Sequence, residues 1–349
     1  MNFRLTVLLT AVMLMAACHN PVYDYEGDCS VTYNLRFVYD RNLKWADAFP
    51  SEVHSINLYA FNADGVFVKE FVANGEALDQ PGYTMQLDLE PGDYQLVAWC
   101  GLNDAGVANQ SFAVTQPVAG QTSLEQLICS LNTKSDSLYP QYSDTRLNFL
   151  YHGALTVNLP DTHNGYVYDY TMSLTKDTNH VRVILQQLSG EDMQPEDFDF
   201  RIEDANGVMG HDNLLLGTDV VTYKPWNVQS GVAGIGKGDA ADSRALIYVS
   251  GVIADLSVSR MVAGHHEDLM LTIYNAKNGT TVARIPIIQY ALLSKDYYEL
   301  AYNHLMSDQE FLDREDEYVL TFFLDENKRW IDSYIYIQQW RIVLHDYEM

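Results

Sequence analysis

The chain has 349 residues, 47% of them hydrophobic, and 21 basic against 47 acidic side chains give a formal net charge of −26. This length suits about two domains with packed cores, and Gly and Pro contents of 21 and 10 are too ordinary for a long disordered arm. Such an excess of carboxylates repels phosphate backbones and anionic headgroups, so nucleic acid and direct headgroup docking are poor partners.

Arg4 is the only charge in the first 23 residues, and Leu5 to Ala17 form an uncharged apolar run of 13. A membrane-spanning helix needs about 20 residues. A signal-peptide core needs about 7–15 after a positive charge. The run ends Leu14-Met15-Ala16-Ala17-Cys18, with two small residues directly before a cysteine. This resembles the bacterial lipoprotein signal, which implies cleavage before Cys18 and acylation of Cys18; Met15 stands where that pattern more often has Leu. Residues 1–17 read as a lipoprotein signal peptide and 18–30 as an acidic tether. The rival reading is an ordinary secretory signal with a chance cysteine. With Cys18 acylated, Cys29, Cys100 and Cys129 remain. In an oxidising compartment an odd count implies one disulfide and one leftover thiol. Cys29 precedes the first strand and Cys100 ends the strand holding Trp99, so Cys29–Cys100 is the preferred pair, with Cys129 the rival partner. No CxxC spacing suggests zinc.

In chain order, Val31, Tyr33, Leu35, Phe37 and Tyr39 alternate with Thr32, Asn34 and Arg36, which predicts a half-buried strand. Ile56 to Phe61 and Val66 to Phe71 flank Asn62-Ala63-Asp64-Gly65 and predict a hairpin. Thr84 to Leu89 alternates again, Pro91-Gly92-Asp93 turns, and Tyr94 to Trp99 returns. Residues 101–122 and 132–145 read as loops, and Leu124 to Leu131 as a strand or one helical turn. Leu147 to Leu159 reads as a strand with His152-Gly153 as a bulge.

Pro160 to Gly165 punctuates the chain, and the domain boundary is placed there, giving domains 31–159 and 160–349. Strands are expected at Val181 to Leu188, Phe198 to Ile202, Leu246 to Ile253, Leu269 to Tyr274, Thr281 to Ile288, Tyr318 to Leu324 and Tyr334 to Leu344. The best helical candidate, Asp308 to Arg314, is too short and polar to carry a core. Many short strands with regular turns argue an all-β chain of sandwiches.

Candidate chemistry is thin. Gly231, Gly236 and Lys237 fit most of a phosphate loop, but Gly238 replaces its Ser or Thr, so the glycine-rich stretch reads as a mobile loop. His265-His266-Glu267-Asp268 suggests metal ligands, yet Met270 stands where HExxH needs histidine, and a solvated turn is the better reading. No GxSxG elbow is present. No catalytic residue, metal, cofactor or small-molecule substrate is expected. The 24 tyrosines could line a glycan-binding face or simply pack strands.

Ile56-Asn57-Leu58-Tyr59-Ala60-Phe61 with Asp64-Gly65, Leu89 to Tyr94 running to Ala98-Trp99, and Phe149-Leu150-Tyr151-His152-Gly153 together resemble the fimbrillin-A-associated anchor proteins, the FimB-like family of Bacteroidales-type fimbriae. Tyr318 to Leu324, Trp330 and Ile335 to Ile342 look like that family's closing strands. The resemblance implies two tandem transthyretin-like β-sandwich domains. It implies a non-enzymatic lipoprotein at the outer membrane that anchors the fimbrial shaft and limits its length, with a stalk pilin as partner. Subunits of this system are thought to join by donor-strand insertion after stalk subunits lose an N-terminal strand at a basic site. Here only Arg36 and Arg41 lie near the first strand, so that strand is expected to stay in place. The C-terminal run, with Tyr334, Tyr336, Trp340 and Ile342 on one face, is the donor-strand candidate; the plain reading is a last core strand. A surface glycan-binding lipoprotein is the alternative function.

Overall fold

The computed structural model describes residues 31–344, apart from 105–108, 163–164, 188–191, 237–245, 266–267, 326, 329 and 338–339. Cys18 and Cys29 therefore lie outside the described residues. The first part of the chain supplies β1 (Thr32–Val38), helix α1 (Phe49–Glu52), β2 (Ser55–Asn62), β3 (Phe67–Asn74), β4 (Thr84–Gln86) and β5 (Gly92–Cys100). Then come β6 (Phe112–Val114), β7 (Cys129–Leu131), β8 (Tyr142–Ser143), β9 (Tyr151–Leu159), β10 (Val167–Ser173) and β11 (Thr175–Lys176). The remainder supplies β12 (Asn179–Gln187), β13 (Phe198–Asp204), β14 (Val208–Met209), β15 (Val221–Tyr223), β16 (Asn227–Gly236), β17 (Leu246–Val258), β18 (Met270–Asn275) and β19 (Thr281–Pro286). Helices α2 (Ile287–Leu292), α3 (Lys295–Tyr302) and α4 (Asp308–Arg314) precede β20 (Glu317–Leu324), β21 (Trp330–Ile337) and β22 (Trp340–Leu344).

The first sandwich faces a three-stranded sheet, β10-β1-β4, against a five-stranded one, β11-β9-β5-β2-β3. The alternation read from Val31 to Tyr39 puts Tyr33, Leu35, Phe37 and Tyr39 into the core between them, beside Ile56, Leu58, Leu96 and Met172. β1 is the middle strand of its sheet: it pairs in parallel with β10 from Thr32–Val167 to Val38–Ser173 and antiparallel with β4. The expected hairpin of β2 and β3 forms, turning through Asn62, whose Oδ1 accepts from the amides of Asp64 and Val66.

β2 is buried at nearly every position because both faces of its sheet are covered. Ile56, Leu58 and Ala60 enter the first core. Tyr59 and Phe61 enter a second, which continues through Trp99, Leu127 and Cys129 into the rest of the chain. There a six-stranded sheet, β16-β17-β12-β20-β21-β22, packs on a five-stranded one, β19-β18-β13-β15-β8. The parallel pair β12–β20 repeats the β1–β10 arrangement. The expected all-β, two-sandwich class is the fold observed.

Several local expectations change. The pairing does not break at residue 160: β10 and β11 return to the sheets of the first sandwich, while β8 pairs with β15 and β7 with β14. The span 101–122 contains β6, and Leu124–Leu131 is both a helical turn and a strand. Gly231 and Gly236 lie in β16, not in a loop; Gly231 stands opposite Gly251, where a side chain would press on Leu185 O at 3.0 Å. Lys237 lies outside the described residues. The strand expected to reach Ile288 stops at Pro286, which lacks the amide a ladder needs, and α2 begins there. The candidate helix forms as α4 with Ser307 Oγ accepting from Glu310 N, and it does carry core, burying Phe311 and Leu312.

Candidate functional site at the C-terminal sheet edge

β20 supplies the inner side of this region. Tyr318, Leu320, Phe322 and Leu324 alternate into the core, as the period of a strand requires. β21 pairs antiparallel with β20, Leu320 opposite Ile335, and Trp330 packs edge-on to Phe322 with centroids 5.8 Å apart. β22 then folds back on β21, with Ile337 opposite Trp340, Ile335 opposite Ile342 and Tyr334 opposite Val343.

The expected single donor strand is therefore two strands. Tyr334 and Tyr336 stand on β21, Trp340 and Ile342 on β22. In register Trp340 and Ile342 oppose Ile337 and Ile335, so the four do not form one continuous row. The physical reason is the backbone: β21 alone would leave an unpaired edge of eight residues, and folding back satisfies it. β22 ends the sheet among the described residues.

The segment leading into β20 is bolted to the first sandwich. Lys176 Nζ in β11 reaches Asp316 Oδ2 at 2.5 Å and Glu52 Oε2 at 3.2 Å, and lies 3.6 Å from the Phe149 ring centroid. Arg260 donates to Asp177 at 2.7 Å and to Asp313 at 2.9 Å, and Asn213 Nδ2 donates to Asp177 at 2.9 Å. Burial pushes the Asp177 and Asp313 carboxyls up, while Arg260 pulls them back. Glu315 is almost fully enclosed, and burial raises it to about 8. These residues carry no sequence motif; they come from six separate stretches and only the fold assembles them.

Other singled-out residues are placed plainly. Cys100 and Cys129 are buried, facing the first and second cores respectively, and form no disulfide among the described residues. Burial raises both, so neither is poised as a thiolate. His152 Nε2 donates to His211 O at 2.8 Å, and burial lowers its pKa to about 4. His265 lies 3.8 Å from Asp204, which burial raises to about 6. Asp268 N donates to His265 O at 3.0 Å, the geometry of a turn. Among the described residues no group of three or more His, Cys, Asp or Glu could hold a metal. No helix among them is long and apolar enough to cross a membrane.

Two β-sandwiches, the second closed by β22 at the edge of its six-stranded sheet among the described residues, make up the scaffold. The chain belongs to the fimbrillin-A-associated anchor proteins, Mfa1 and Mfa2, whose family model matches residues 25–346. It is 24% identical over 226 residues to the minor fimbrium anchoring subunit Mfa2 of Porphyromonas gingivalis, a match spanning 63% of this chain and 66% of that protein. Among solved structures it is similar to a candidate adhesin of Bacteroides thetaiotaomicron, with TM-score 0.74, 32% identity and 90% and 97% of the two chains covered. A candidate polysaccharide-binding protein of the same species gives 0.71, 28%, and 91% and 99%. The Mfa2 structure from P. gingivalis gives 0.63 at 16% identity over 90% and 99%, a likeness of fold.

Proposed function

We propose that this protein is a non-enzymatic fimbrial anchor subunit, held to the outer membrane by acyl chains on Cys18, that attaches the fimbrial shaft and limits its length. The partner is a stalk pilin, and the site is the cell surface at the fimbrial base. The observation that carries the reading is the open edge of β22 in a chain matched almost end to end by an anchor-protein family. A free edge offers a row of backbone donors and acceptors to an extended strand of a neighbour, and alternate side chains give selectivity. β1 supports the anchor role as well: its buried face and its two flanking strands make it a retained element, not one shed during assembly.

Two experiments test this. Deleting residues 338–349 removes β22 and leaves β21 as the edge. The expected result is a folded, membrane-bound protein with fimbriae released into the medium. A truncated protein that is degraded makes β22 part of the fold, and donor-strand exchange through it fails. Replacing Cys18 with Ala should leave the protein unprocessed or released. One acyl chain binds marginally while several bind stably, so full retention of the variant after a high-salt wash overturns lipid anchoring.

A further inference from the structure

A cavity of about 340 Å³ opens on the six-stranded sheet where β12, β17 and β20 meet the segment entering β16. Its walls include Arg146, His180, Arg182, Trp226, Asp255 and Glu317. These six fall into two sets. Arg182 and Asp255 satisfy each other: Arg182 Nε donates to Oδ1 at 2.7 Å, and Asn227 Nδ2 donates to Oδ2 at 2.9 Å.

The other four have polar capacity left over. Trp226 Nε1 and His180 Nε2 are enclosed and have no hydrogen-bond partner. Their rings stand 6.4 Å apart. The Arg146 guanidinium lies 5.5 Å over the Trp226 ring and makes no ion pair among the described residues, in a chain with net charge −26. Glu317 extends from the first position of β20 as an exposed side chain, and its carboxylate accepts no hydrogen bond among the described residues. Burial, with Arg146 and Lys176 nearby, lowers the His180 pKa, which leaves a neutral ring.

The Arg146 guanidinium, with no ion-pair partner among the described residues, suits a negative acceptor. A free carboxylate beside them needs hydroxyl donors. A partly exposed aromatic ring, Trp226, suits the apolar face of a sugar ring. One ligand class carries all three features, and the cavity volume is that of a small-ligand site. We infer that this cavity binds an acidic saccharide, its carboxylate held by Arg146, its ring face laid on Trp226 and its hydroxyls held by Glu317. The inference goes beyond the anchor reading and stands without it, because none of its residues lies on β21 or β22.

Isothermal titration of the mature chain with trigalacturonate and with 3′-sialyllactose tests it, with maltotriose as the uncharged control and acetate as the bare carboxylate. The expected result is one-to-one binding of at least one acidic saccharide, and no heat from maltotriose or acetate. Arg146→Gln should weaken that binding about tenfold or more and Trp226→Phe about threefold. Arg146 is exposed, so its replacement should leave the thermal midpoint unchanged; Arg146→Glu, with the charge reversed, should abolish binding. The inference is overturned if neither acidic saccharide binds, if the Arg146 variants bind as the wild type does, or if maltotriose or acetate binds as tightly.

Discussion

Asp177, at the junction of β11 and β12, accepts from Arg260 at 2.7 Å with its own side chain wholly shielded from solvent. The pair joins the end of the first sandwich to the chain leaving β17, and Asp313 completes it on the far side of Arg260. Breaking such a pair from one side costs more than the pair contributes, because a charge is left buried alone. Arg260→Met should destabilise the protein by about 3–5 kcal/mol in urea unfolding at pH 7. The double variant with Asp177→Asn should recover part of that loss. A single-variant cost below about 1 kcal/mol would mean that solvent reaches the pair.

Glu315 makes stability depend on pH in an unusual direction. Its folded pKa of about 8 lies above the ordinary value of 4.5 because burial disfavours the carboxylate. Between those values the folded state holds a proton that the unfolded state has released. This contribution is therefore full below the unfolded pKa and is lost as pH rises through the folded one. Glu315→Gln should flatten the decline, with the variant gaining on the wild type by a few kcal/mol, on the order of magnitude set by linkage, from pH 5 to pH 8. Midpoints measured at both pH values decide it; parallel curves would show that Glu315 is ionised in the fold.

Gly101 ends β5 at φ +91°, and a Cβ there would sit 1.9 Å from Phe149 O. The clash is with backbone, so no side-chain rearrangement relieves it. Gly101→Ala should cost about 2–4 kcal/mol, combining a left-handed backbone with the displaced Phe149 strand approach. Gly120 also has positive φ, +74°, but nothing lies within 4 Å of its Cβ position. Gly120→Ala should cost about 1 kcal/mol. Equal losses at the two sites would contradict the contact.

Thiol counting tests the proposed Cys29–Cys100 disulfide. Cys100 and Cys129 face different cores and both are free thiols with respect to each other, so Cys29 is the only remaining partner for either once Cys18 is acylated. Denatured, unreduced mature protein should give one reactive thiol, assigned to Cys129 by peptide mapping. Three reactive thiols would remove the disulfide. If the bridge is present, Cys29→Ser should cost on the order of 4 kcal/mol in the chain-entropy account.

Alternating strands were legible in the sequence because their side chains answer to one buried face. Leu35 and Phe37 in β1, and Leu320 and Phe322 in β20, stand where the period-two pattern puts them. Helices α2 and α3 were not legible. Ile285-Pro286-Ile287-Ile288 is rich in β-branched residues, and the change from strand to helix rests on one missing amide at Pro286. The pairing of β22 back onto β21 was equally hidden, since both strands carry the same alternation and only the polar Gln338-Gln339 interrupts it in sequence. The glycines of β16 suggested a loop, yet Gly231 pairs with Gly251 inside the ladder to β17, and the tight contact there is that of Gly251 with Leu185 O.

The candidate sites were harder still. Arg146, His180 and Trp226 are 34 or more residues apart from one another in sequence, and Glu52, Lys176 and Asp316 are further separated. Neither group obeys a spacing that a sequence reader could match, because each is assembled by strand order and not by local turn chemistry. The family resemblance carried the class of protein; the particular contacts required the fold.

The position of β1 has a mechanical side. A pull applied through residue 31 acts along the strand axis, while the ladder to β10 runs across that axis over seven residues, Thr32 to Val38. All those hydrogen bonds are then strained together in shear, instead of opening one at a time like a zipper, and β4 adds a second row on the other side. A subunit tethered at that end therefore meets drag on an attached fibre with its most force-resistant geometry.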